Sequence, residues 1–401
     1  MTIYWSTDNL SDVRYLQNPI AEDALATRKM AFISGPRQVG KTTLAKTFLS
    51  EPANYYSWDT EAFRRQWSRS PRDALVNRRE GPIVLDEIHK DRRWKNRLKG
   101  VYDELGHDQA IVVTGSARLD LYRRGGDSMQ GRYIPYRLHP FTCGERAAPP
   151  LPDAVFTPTK PRFPWRDLLR LGGFPEPLLG ANEAKARRWS RLRRERVVQE
   201  DVRDIMAVMD LQAVRLLMDL LPTRAAGLLS VNALREDVGA SYASVRAWMQ
   251  VLEALYVWFA VRPYSRRIAR ALTAEPKLYL FDQMLVPENE RGRRLENLAA
   301  LHLLKATQYW TDCAIAETEL RYVRDKEKRE VDFLVLRNGK PWLLVECKTT
   351  ETEPSPHLLY FRSLLAPEHA IQLVDIEGYD RRHPGLGVRV VSYERFFSAW
   401  V

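Results

Sequence analysis

The sequence predicts an α/β protein that begins with a parallel sheet, continues with a helical middle part and ends with a second α/β part. A glycine-rich loop at residues 35–42 separates an apolar run from a helical pattern. A helical stretch near residues 183–204 carries many arginines. Two apolar strands at residues 330–349 carry acidic residues on either side of an Asn-Gly turn. The loop and the arginines suit direct contact with phosphate groups, whereas the acidic residues suit a metal ion that acts on such groups.

The glycine-rich loop reads Gly-Pro-Arg-Gln-Val-Gly-Lys-Thr and lies between a predicted strand at 30–34 and a predicted helix at 42–49. In such a loop, backbone N–H groups surround phosphate oxygens and the helix dipole favours their charge. Lys41 is expected to reach the β- and γ-phosphates of ATP, and Thr42 to bind Mg²⁺. The alternative is an ordinary turn. The predicted nucleotide-binding residues of the loop are Gly35, Pro36, Arg37, Gln38, Val39, Gly40, Lys41, Thr42 and Thr43.

An acidic pair, Asp86-Glu87, follows the predicted strand 83–85. Asp86 is expected to hold the Mg²⁺ ion with its water shell, and Glu87 to polarise the attacking water. This pair favours hydrolysis of the nucleotide over binding alone. Two solvated acids in a turn are the alternative.

A third predicted strand, at 111–114, leads into a Gly-Ser turn. Ser116 is the predicted polar sensor of the γ-phosphate, and Thr114 is the less favoured candidate. Because a Gly-Ser turn often follows a strand, a turn without function is the alternative.

The charge of the chain predicts a polyanionic partner. Among 401 residues there are 62 Lys and Arg but 51 Asp and Glu, which gives a net charge of +11. Such an excess favours nucleic acid, because each phosphate that the protein neutralises releases counterions. DNA is favoured over RNA, and a soluble basic protein without such a partner is the alternative.

The remaining composition points to the cytoplasm. The three cysteines have neither metal-site nor disulfide spacing. The N-terminus has no secretory pattern, and no apolar run has the length of a membrane span. No membrane partner is therefore expected.

A proline-rich stretch near 147–164 marks the first predicted domain boundary. The expected domains are a nucleotide-binding domain at 1–150, a helical basic region at 151–225, a winged helix-turn-helix at 226–275 and a C-terminal α/β domain at 276–401.

In the basic helix, Arg187, Arg191 and Arg194 share one face at helical spacing, while Trp189 and Leu192 lie on another. A ridge that contacts phosphates and a solvated face of a packed helix remain equal alternatives.

Residues 228–272 predict a winged helix-turn-helix. A short helix at 231–238 precedes a Gly-Ala-Ser turn, and Ser241 is the expected cap of a second helix that runs through Tyr256. The basic residues 262–267 would belong to a wing. Three helices that merely form a core are the alternative.

The C-terminal hairpin predicts a second site. Glu346 and Lys348 share a face of one strand, and Asp332 lies on the preceding strand. Two carboxylates and a lysine suit a Mg²⁺-dependent nuclease, in which Asp332 and Glu346 bind the metal and Glu296 on the preceding helix is an additional ligand. A hairpin with solvated charges is the alternative.

The turn sets a condition on this second site. With a strict two-residue Asn-Gly turn, Asp332 would oppose Val345 and point away from Glu346. The two carboxylates can meet only if the hairpin has a three-residue loop or a β-bulge.

The motifs together resemble a family of prokaryotic AAA-type ATPases with a C-terminal restriction-endonuclease-like domain of the PD-(D/E)xK kind. The resemblance is carried by 35–43, 84–89, 114–118, 131–141, 172–176, 263–265, 276–279 and the Glu-Val-Asp-Phe and Glu-Cys-Lys pairs. It implies an AAA-like parallel sheet, a helical and winged-helix middle and a nuclease-like end. The chain departs from the family pattern at 281–284, where Phe-Asp is followed by Gln-Met.

The resemblance also implies a homo-oligomer in which one subunit supplies an arginine to its neighbour's ATP site. Arg132 is the first candidate and Arg118 the second. A surface salt bridge is the alternative for either residue.

The predicted function is an ATP-dependent DNA-processing protein with ATP and Mg²⁺ as cofactors. ATP hydrolysis would be coupled to DNA binding, with Mg²⁺-dependent phosphodiester cleavage as a further activity. The alternative is a nucleotide-switched DNA-binding or regulatory protein whose nuclease-like domain is catalytically silent.

Overall fold

The computed structural model describes residues 14–105, 109–115, 129, 131–146, 148–154, 156–203, 210–265 and 275–401. The chain forms two compact units. The first unit comprises Met1–His139 and Arg146–Ala148, and the second comprises Pro140–Glu145 and Pro149–Val401. The predicted division into four domains stays a prediction.

The first unit contains a five-stranded sheet in which every pairing is parallel. Its strands, in the order β2-β3-β4-β1-β5, are β1 Met30–Ser34, β2 Tyr55–Ser57, β3 Ile83–Asp86, β4 Ile111–Gly115 and β5 Tyr133–Arg137. Because β4 lies between β1 and β3, the carboxyl ends of these three strands lie side by side at one edge of the sheet. The parallel sheet predicted for this part of the chain is confirmed.

The described helices of the first unit are α1 Gln17–Pro19, which continues as the π-helical turn Ile20–Leu25, α2 Lys41–Lys46, α3 Glu61–Arg69 and α4 Trp94–Leu105. The inner strands read as continuous apolar runs because both faces of a parallel sheet are covered. One apolar core includes Phe32, Trp67, Leu85, Trp94 and Val113. This core fixes the strand ends on which the polar residues lie.

The second unit contains the helical middle part and the C-terminal part. Its described α-helices are α5 Trp165–Leu171, α6 Pro175–Gly180, α7 Glu183–Arg196, α8 Leu211–Leu220, α9 Val231–Val238, α10 Tyr242–Ala254, α11 Arg291–Asp312, α12 Pro356–Leu365 and α13 Tyr393–Ser398. The helix predicted at 183–204 differs in its last turns, since the α-helix ends at Arg196 and continues as the π-helical turn Val197–Val202.

A nine-stranded mixed sheet runs through the second unit in the order β13-β14-β12-β11-β10-β9-β7-β8-β6. Its strands are β6 Gly227–Leu228, β7 Trp258–Pro263, β8 Lys277–Leu280, β9 Thr318–Arg324, β10 Glu330–Arg337, β11 Lys340–Cys347, β12 His369–Val374, β13 Asp380–His383 and β14 Val388–Ser392. The parallel pairing of β7 with β9 joins the middle strands to the C-terminal ones. Residues of the middle part can therefore reach the C-terminal carboxylates.

Two helices of the middle part agree with the sequence prediction. Ser230 caps α9, and Gly239 ends it in the left-handed region with φ 70°. The Ser241 side chain accepts the N–H of Ser244 and so caps α10. The second helix ends at Ala254, two residues before the predicted Tyr256. Of the predicted wing, residues 266–274 lie outside the described part of the chain.

The Pro140–Glu145 segment packs within the second unit. Phe141 N–H donates to the Gly173 carbonyl at 2.7 Å, and a Cβ at Gly173 would lie 2.4 Å from the Phe141 carbonyl oxygen. Only glycine permits this approach. The buried Lys305 of α11 donates to Thr142 Oγ1 at 2.9 Å and forms an ion pair with the buried Glu145. This segment therefore neutralises a charge in the interior of the second unit.

Candidate functional site

The glycine-rich loop connects β1 to α2 through residues in unusual backbone conformations. Gly40, which precedes the helix, has φ 97°, and Gln38 has φ 66°. Gly35 has φ 152°, and a Cβ there would lie 2.3 Å from the Leu138 carbonyl oxygen. A side chain at position 35 would collide with the backbone of Leu138, which follows β5. Both this close approach and the backbone conformation therefore require glycine at this position.

Lys41 lies inside this loop. Its Nζ donates to the carbonyl oxygens of Gly35 at 3.1 Å and Pro36 at 2.8 Å, and the residue is only 5% exposed. The ammonium group is therefore next to the backbone that would enclose a phosphate, as the sequence predicts. An anionic oxygen would be a stronger partner for it than a neutral carbonyl.

Asp86, at the end of β3, is the centre of a hydrogen-bonded group. Thr42 Oγ1 donates to its carboxylate at 3.0 Å, and the Thr114 hydroxyl donates to its Oδ1. Tyr55 OH donates to Oδ2 at 2.6 Å. Burial, reinforced by Asp86, raises the pKa of Tyr55, so the phenol keeps its proton. Tyr55 was not predicted, because a tyrosine in a short strand gives no sequence signal of this contact.

These oxygens fit a magnesium ion. The hydroxyl of Thr42 and the carboxylate of Asp86 are hard ligands of the kind that Mg²⁺ binds beside nucleotide phosphates. They approach each other at the mouth of the glycine-rich loop. The donor set therefore suits the predicted metal.

Glu87 extends this group toward the C-terminal side of β3. Its backbone is left-handed with φ 56°, and burial raises its pKa while Lys41 opposes the shift. His89 Nε2 lies 3.6 Å from Glu87 Oε2. Burial lowers the pKa of His89 to about 4, so its imidazole is neutral at pH 7. His89 is a further site residue that the sequence prediction missed, although its spacing of two from Glu87 was visible.

The other two predicted nucleotide contacts have different outcomes. Ser116 and the second arginine candidate, Arg118, lie outside the described residues. Thr114, the less favoured sensor, contacts Asp86 directly. Arg132 Nε donates to Asp103 Oδ1 at 2.9 Å in a partly exposed ion pair.

The C-terminal hairpin contains the β-bulge that the sequence argument required. Its Asn-Gly turn is a two-residue turn, but the register of β10 and β11 shifts between Val335 and Leu336. Beyond the shift Phe333 pairs with Val345, so the next position brings Asp332 opposite Glu346. The prediction that a bulge would be needed to bring these carboxylates together is confirmed.

A buried lysine that was not predicted lies among these carboxylates. Lys277 of β8 is 3% exposed. Its Nζ lies close to three carboxylate oxygens, at 2.9 Å from Glu296 Oε1, 2.7 Å from Glu330 Oε1 and 3.0 Å from Asp332 Oδ1. The only sequence signal was a single cation in an apolar strand. We call Glu296, Glu330, Asp332 and Glu346 the acidic pocket.

The other carboxylate oxygens of the acidic pocket differ in whether they have a hydrogen-bond partner. Asp332 Oδ2 accepts the Cys347 N–H at 2.9 Å, and Glu346 Oε1 lies 2.9 Å from Lys348 Nζ. Glu346 Oε2 is buried and has no hydrogen-bond partner among the described residues. Burial, with Asp332 adding to the effect, raises the pKa of Glu346 to about 8 and of Glu296 to about 7.

This pocket does not fit a divalent metal as it stands. Both oxygens of Asp332 already have partners, and the Lys277 ammonium lies where the carboxylates converge. Within the described ranges, no three His, Cys, Asp or Glu side chains are arranged to hold a metal ion.

The basic helix α7 presents a different set of cations from the predicted one. Arg187 is paired with Glu183 and Glu288, and Arg194 with Asp219. Leu192, expected beside the buried Trp189, is instead 40% exposed. The inward position belongs to Arg193, whose guanidinium lies 4.3 Å from the centre of the Phe174 ring. Four exposed cations of α7 have no ion pair with the described residues: Lys185, Arg188, Arg191 and Arg196.

Comparison with known proteins adds a family match for the first unit. Residues 27–147 match the AAA domain family AAA_14. Residues 162–288 and 291–395 match two domains of unknown function, DUF8612 and DUF4143. None of the curated proteins matches the chain. The AAA match and the glycine-rich loop together identify an AAA-type P-loop domain.

One solved structure that the chain matches is the Thermotoga maritima RuvB Holliday junction branch migration motor. The sequences are 15% identical over 65% of this chain and 94% of that chain, with a TM-score of 0.29. Among the described residues, no helix has both the length and the apolar character needed to cross a membrane.

Proposed function

We propose that this protein is an ATPase whose nucleotide state controls its hold on DNA. The observation that carries the proposal is that the loop after β1, with Lys41 and Thr42, meets Asp86 of β3 at the carboxyl ends of these parallel strands, which lie on either side of β4. Ligands of α/β sheets bind at this edge. The AAA match of residues 27–147 supports the same assignment.

Each residue has a chemical task in this proposal. The loop amides and Lys41 hold the phosphates, while Thr42 and Asp86 hold Mg²⁺, which neutralises charge on the β- and γ-phosphates. Glu87 orients the attacking water, and the His89 ring lies beside it, with Nε2 3.6 Å from Glu87 Oε2. Ser116 as the γ-phosphate sensor and Arg132 as an arginine supplied to a neighbouring subunit remain parts of the proposal.

Replacement of Glu87 by glutamine is expected to separate binding from hydrolysis. Glutamine keeps the size of the side chain but cannot accept the proton of water, so the hydrolysis rate should fall by roughly 10²- to 10⁴-fold. ATP affinity should change little. Steady-state phosphate release and fluorescent-nucleotide titration measure the two quantities, with the exposed Glu51→Gln as the matched control. Full hydrolysis by Glu87→Gln would remove Glu87 from the mechanism.

The proposed DNA contact rests on exposed cations of the middle part. Lys185, Arg188, Arg191 and Arg196 lie on the exposed side of α7, and Arg246 lies on the exposed side of α10. Unpaired cations on a helix surface bind phosphate backbones through counterion release. In the winged helix-turn-helix that we propose, α10 would be the recognition helix.

The double change Arg188→Gln and Arg191→Gln is expected to weaken DNA binding at every sequence tested. The plot of log K against log salt concentration has a negative slope. Two lost phosphate contacts should make this slope less steep by roughly 2. Fluorescence anisotropy with a labelled duplex, at several salt concentrations, measures this slope. The control is Lys340→Gln with Arg381→Gln, which removes two exposed cations from elsewhere in the second unit. If the slope of the α7 variant equals that of wild type, α7 does not contact DNA.

A second candidate function is Mg²⁺-dependent cleavage of the phosphodiester backbone by the C-terminal part. The observation in its favour is that the bulge brings Asp332 opposite Glu346, beside Lys348. Lys277 argues against it and favours a catalytically silent nuclease-like domain in the ATPase that we propose. A plasmid-nicking assay of wild type and Lys348→Ala decides between them: Mg²⁺-dependent nicking that Lys348→Ala abolishes supports cleavage, and absence of nicking supports the silent domain.

A further inference from the structure

Lys277 has the contacts expected of a bound cation. An ammonium group has three N–H donors and no acceptor. Glu296, Glu330 and Asp332 provide three oxygens at 2.7 to 3.0 Å, one for each donor. These carboxylates come from α11 and β10, whereas the lysine comes from β8. The ammonium is therefore enclosed by groups that are distant in sequence and is not in a chance contact on one strand.

The charges around Lys277 nearly balance without any further cation. The acidic pocket has four carboxylates, and three cations contact them: Lys277, Lys348 through Glu346, and Arg324 through Glu330. Four carboxylates and three cations leave one negative charge in the pocket.

A divalent ion and the Lys277 ammonium would exclude each other. Both would need Asp332 Oδ1 and Glu296 Oε1, and two cations a few ångströms apart inside a protein repel strongly. Lys277 Nζ lies 2.9 Å from Glu296 Oε1 and 3.0 Å from Asp332 Oδ1, so the ammonium is at the position that a divalent ion would need.

We infer that Lys277 is a built-in cation in the place of a divalent metal, and that the acidic pocket binds Mg²⁺ or Mn²⁺ once this side chain is removed. The three oxygens that now surround Lys277 Nζ would then face the emptied space: Glu296 Oε1, Glu330 Oε1 and Asp332 Oδ1. Glu296 Oε1 would still accept the Tyr279 hydroxyl at 2.6 Å, and Glu346 Oε2 has no hydrogen-bond partner in the described part of the chain. Carboxylate oxygens are the ligands that these ions prefer. The inference does not depend on the proposed ATPase or on DNA binding.

The test is Mn²⁺ binding by the full-length protein without nucleotide, measured by the electron paramagnetic resonance signal of free Mn²⁺. Lys277→Ala should bind one additional Mn²⁺ at least ~100-fold more tightly than the pocket of wild type, because a cation beside the site is lost. Adding Asp332→Asn should abolish this binding. Lys340→Ala, at the exposed hairpin turn, is the matched control and should behave as wild type.

Two results would overturn the inference. The first is wild-type Mn²⁺ binding that is as tight as that of Lys277→Ala and is lost in Asp332→Asn. The second is a folded Lys277→Ala protein, judged by circular dichroism, that gains no Mn²⁺ site. If Lys277→Ala does not fold, Lys277→Gln, which keeps a polar side chain of similar reach, takes its place. Mn²⁺ binding by the wild-type pocket that Asp332→Asn abolishes overturns the inference even without either variant.

Discussion

Lys41→Ala is expected to abolish nucleotide hydrolysis and to weaken ATP binding strongly. The Lys41 ammonium lies inside the glycine-rich loop, where it donates to the carbonyl oxygens of Gly35 and Pro36. A hydrogen bond to a charged group contributes about 1.5–3 kcal/mol, which corresponds to roughly a 10- to 150-fold loss of affinity. Loss of a donor to the transition state lowers kcat by a further factor on the order of 10²–10³.

Isothermal titration with ATP and a phosphate-release assay measure the two effects of Lys41→Ala. The matched control is Lys29→Ala, since Lys29 precedes β1 at the opposite edge of the same sheet. Wild-type hydrolysis by Lys41→Ala would contradict the assignment of this loop. Circular dichroism of Lys41→Ala checks that the fold is retained when the hydrogen bonds to the Gly35 and Pro36 carbonyls are lost.

Lys305→Met is expected to destabilise the second unit by about 3–5 kcal/mol, the cost of leaving one charge of a buried pair without its partner. Lys305 and Glu145 both have side chains with 0% exposure. Methionine fills the space of the lysine stem but offers Glu145 no proton. Thr142 Oγ1 also loses a donor.

Urea unfolding, followed by tryptophan fluorescence, measures this loss, and the transition of the second unit should move to lower urea. The double variant Lys305→Met with Glu145→Leu should recover much of the stability, since no charge is left unpaired in the interior. Equal stability of the single variant and wild type would mean that Glu145 finds another partner or a proton without cost.

The local elements were largely predictable from sequence. Gly35 and Gly40 mark the phosphate loop because few residues tolerate their backbone angles, and Ser241 marks a helix start because its side chain replaces a missing backbone acceptor. The strand that ends in Asp86 was visible as an apolar run. These features depend on neighbouring residues, which a sequence displays directly.

The contacts between distant residues were not predictable. Lys277 and Asp332 are 55 residues apart, and Arg187 and Glu288 are 101 apart. Nothing in either segment specifies its partner. The bulge in β10 is an intermediate case. The alternation of side chains along the hairpin showed that a bulge was needed to bring Asp332 opposite Glu346, but the position of the bulge depends on packing of the whole sheet. The sequence therefore indicated three carboxylates of the acidic pocket and missed both Glu330 and the Lys277 ammonium.

The Pro140–Glu145 segment decides where the C-terminal half can be cut from the rest. A protease that cleaves in the proline-rich stretch after residue 149 would leave Thr142, Cys143 and Glu145 on the other fragment. The released fragment would retain Lys305 without its carboxylate and His302 without the Cys143 N–H. A fragment that begins at Pro140 keeps these contacts and should remain soluble. A fragment that begins in the proline-rich stretch lacks them and should aggregate.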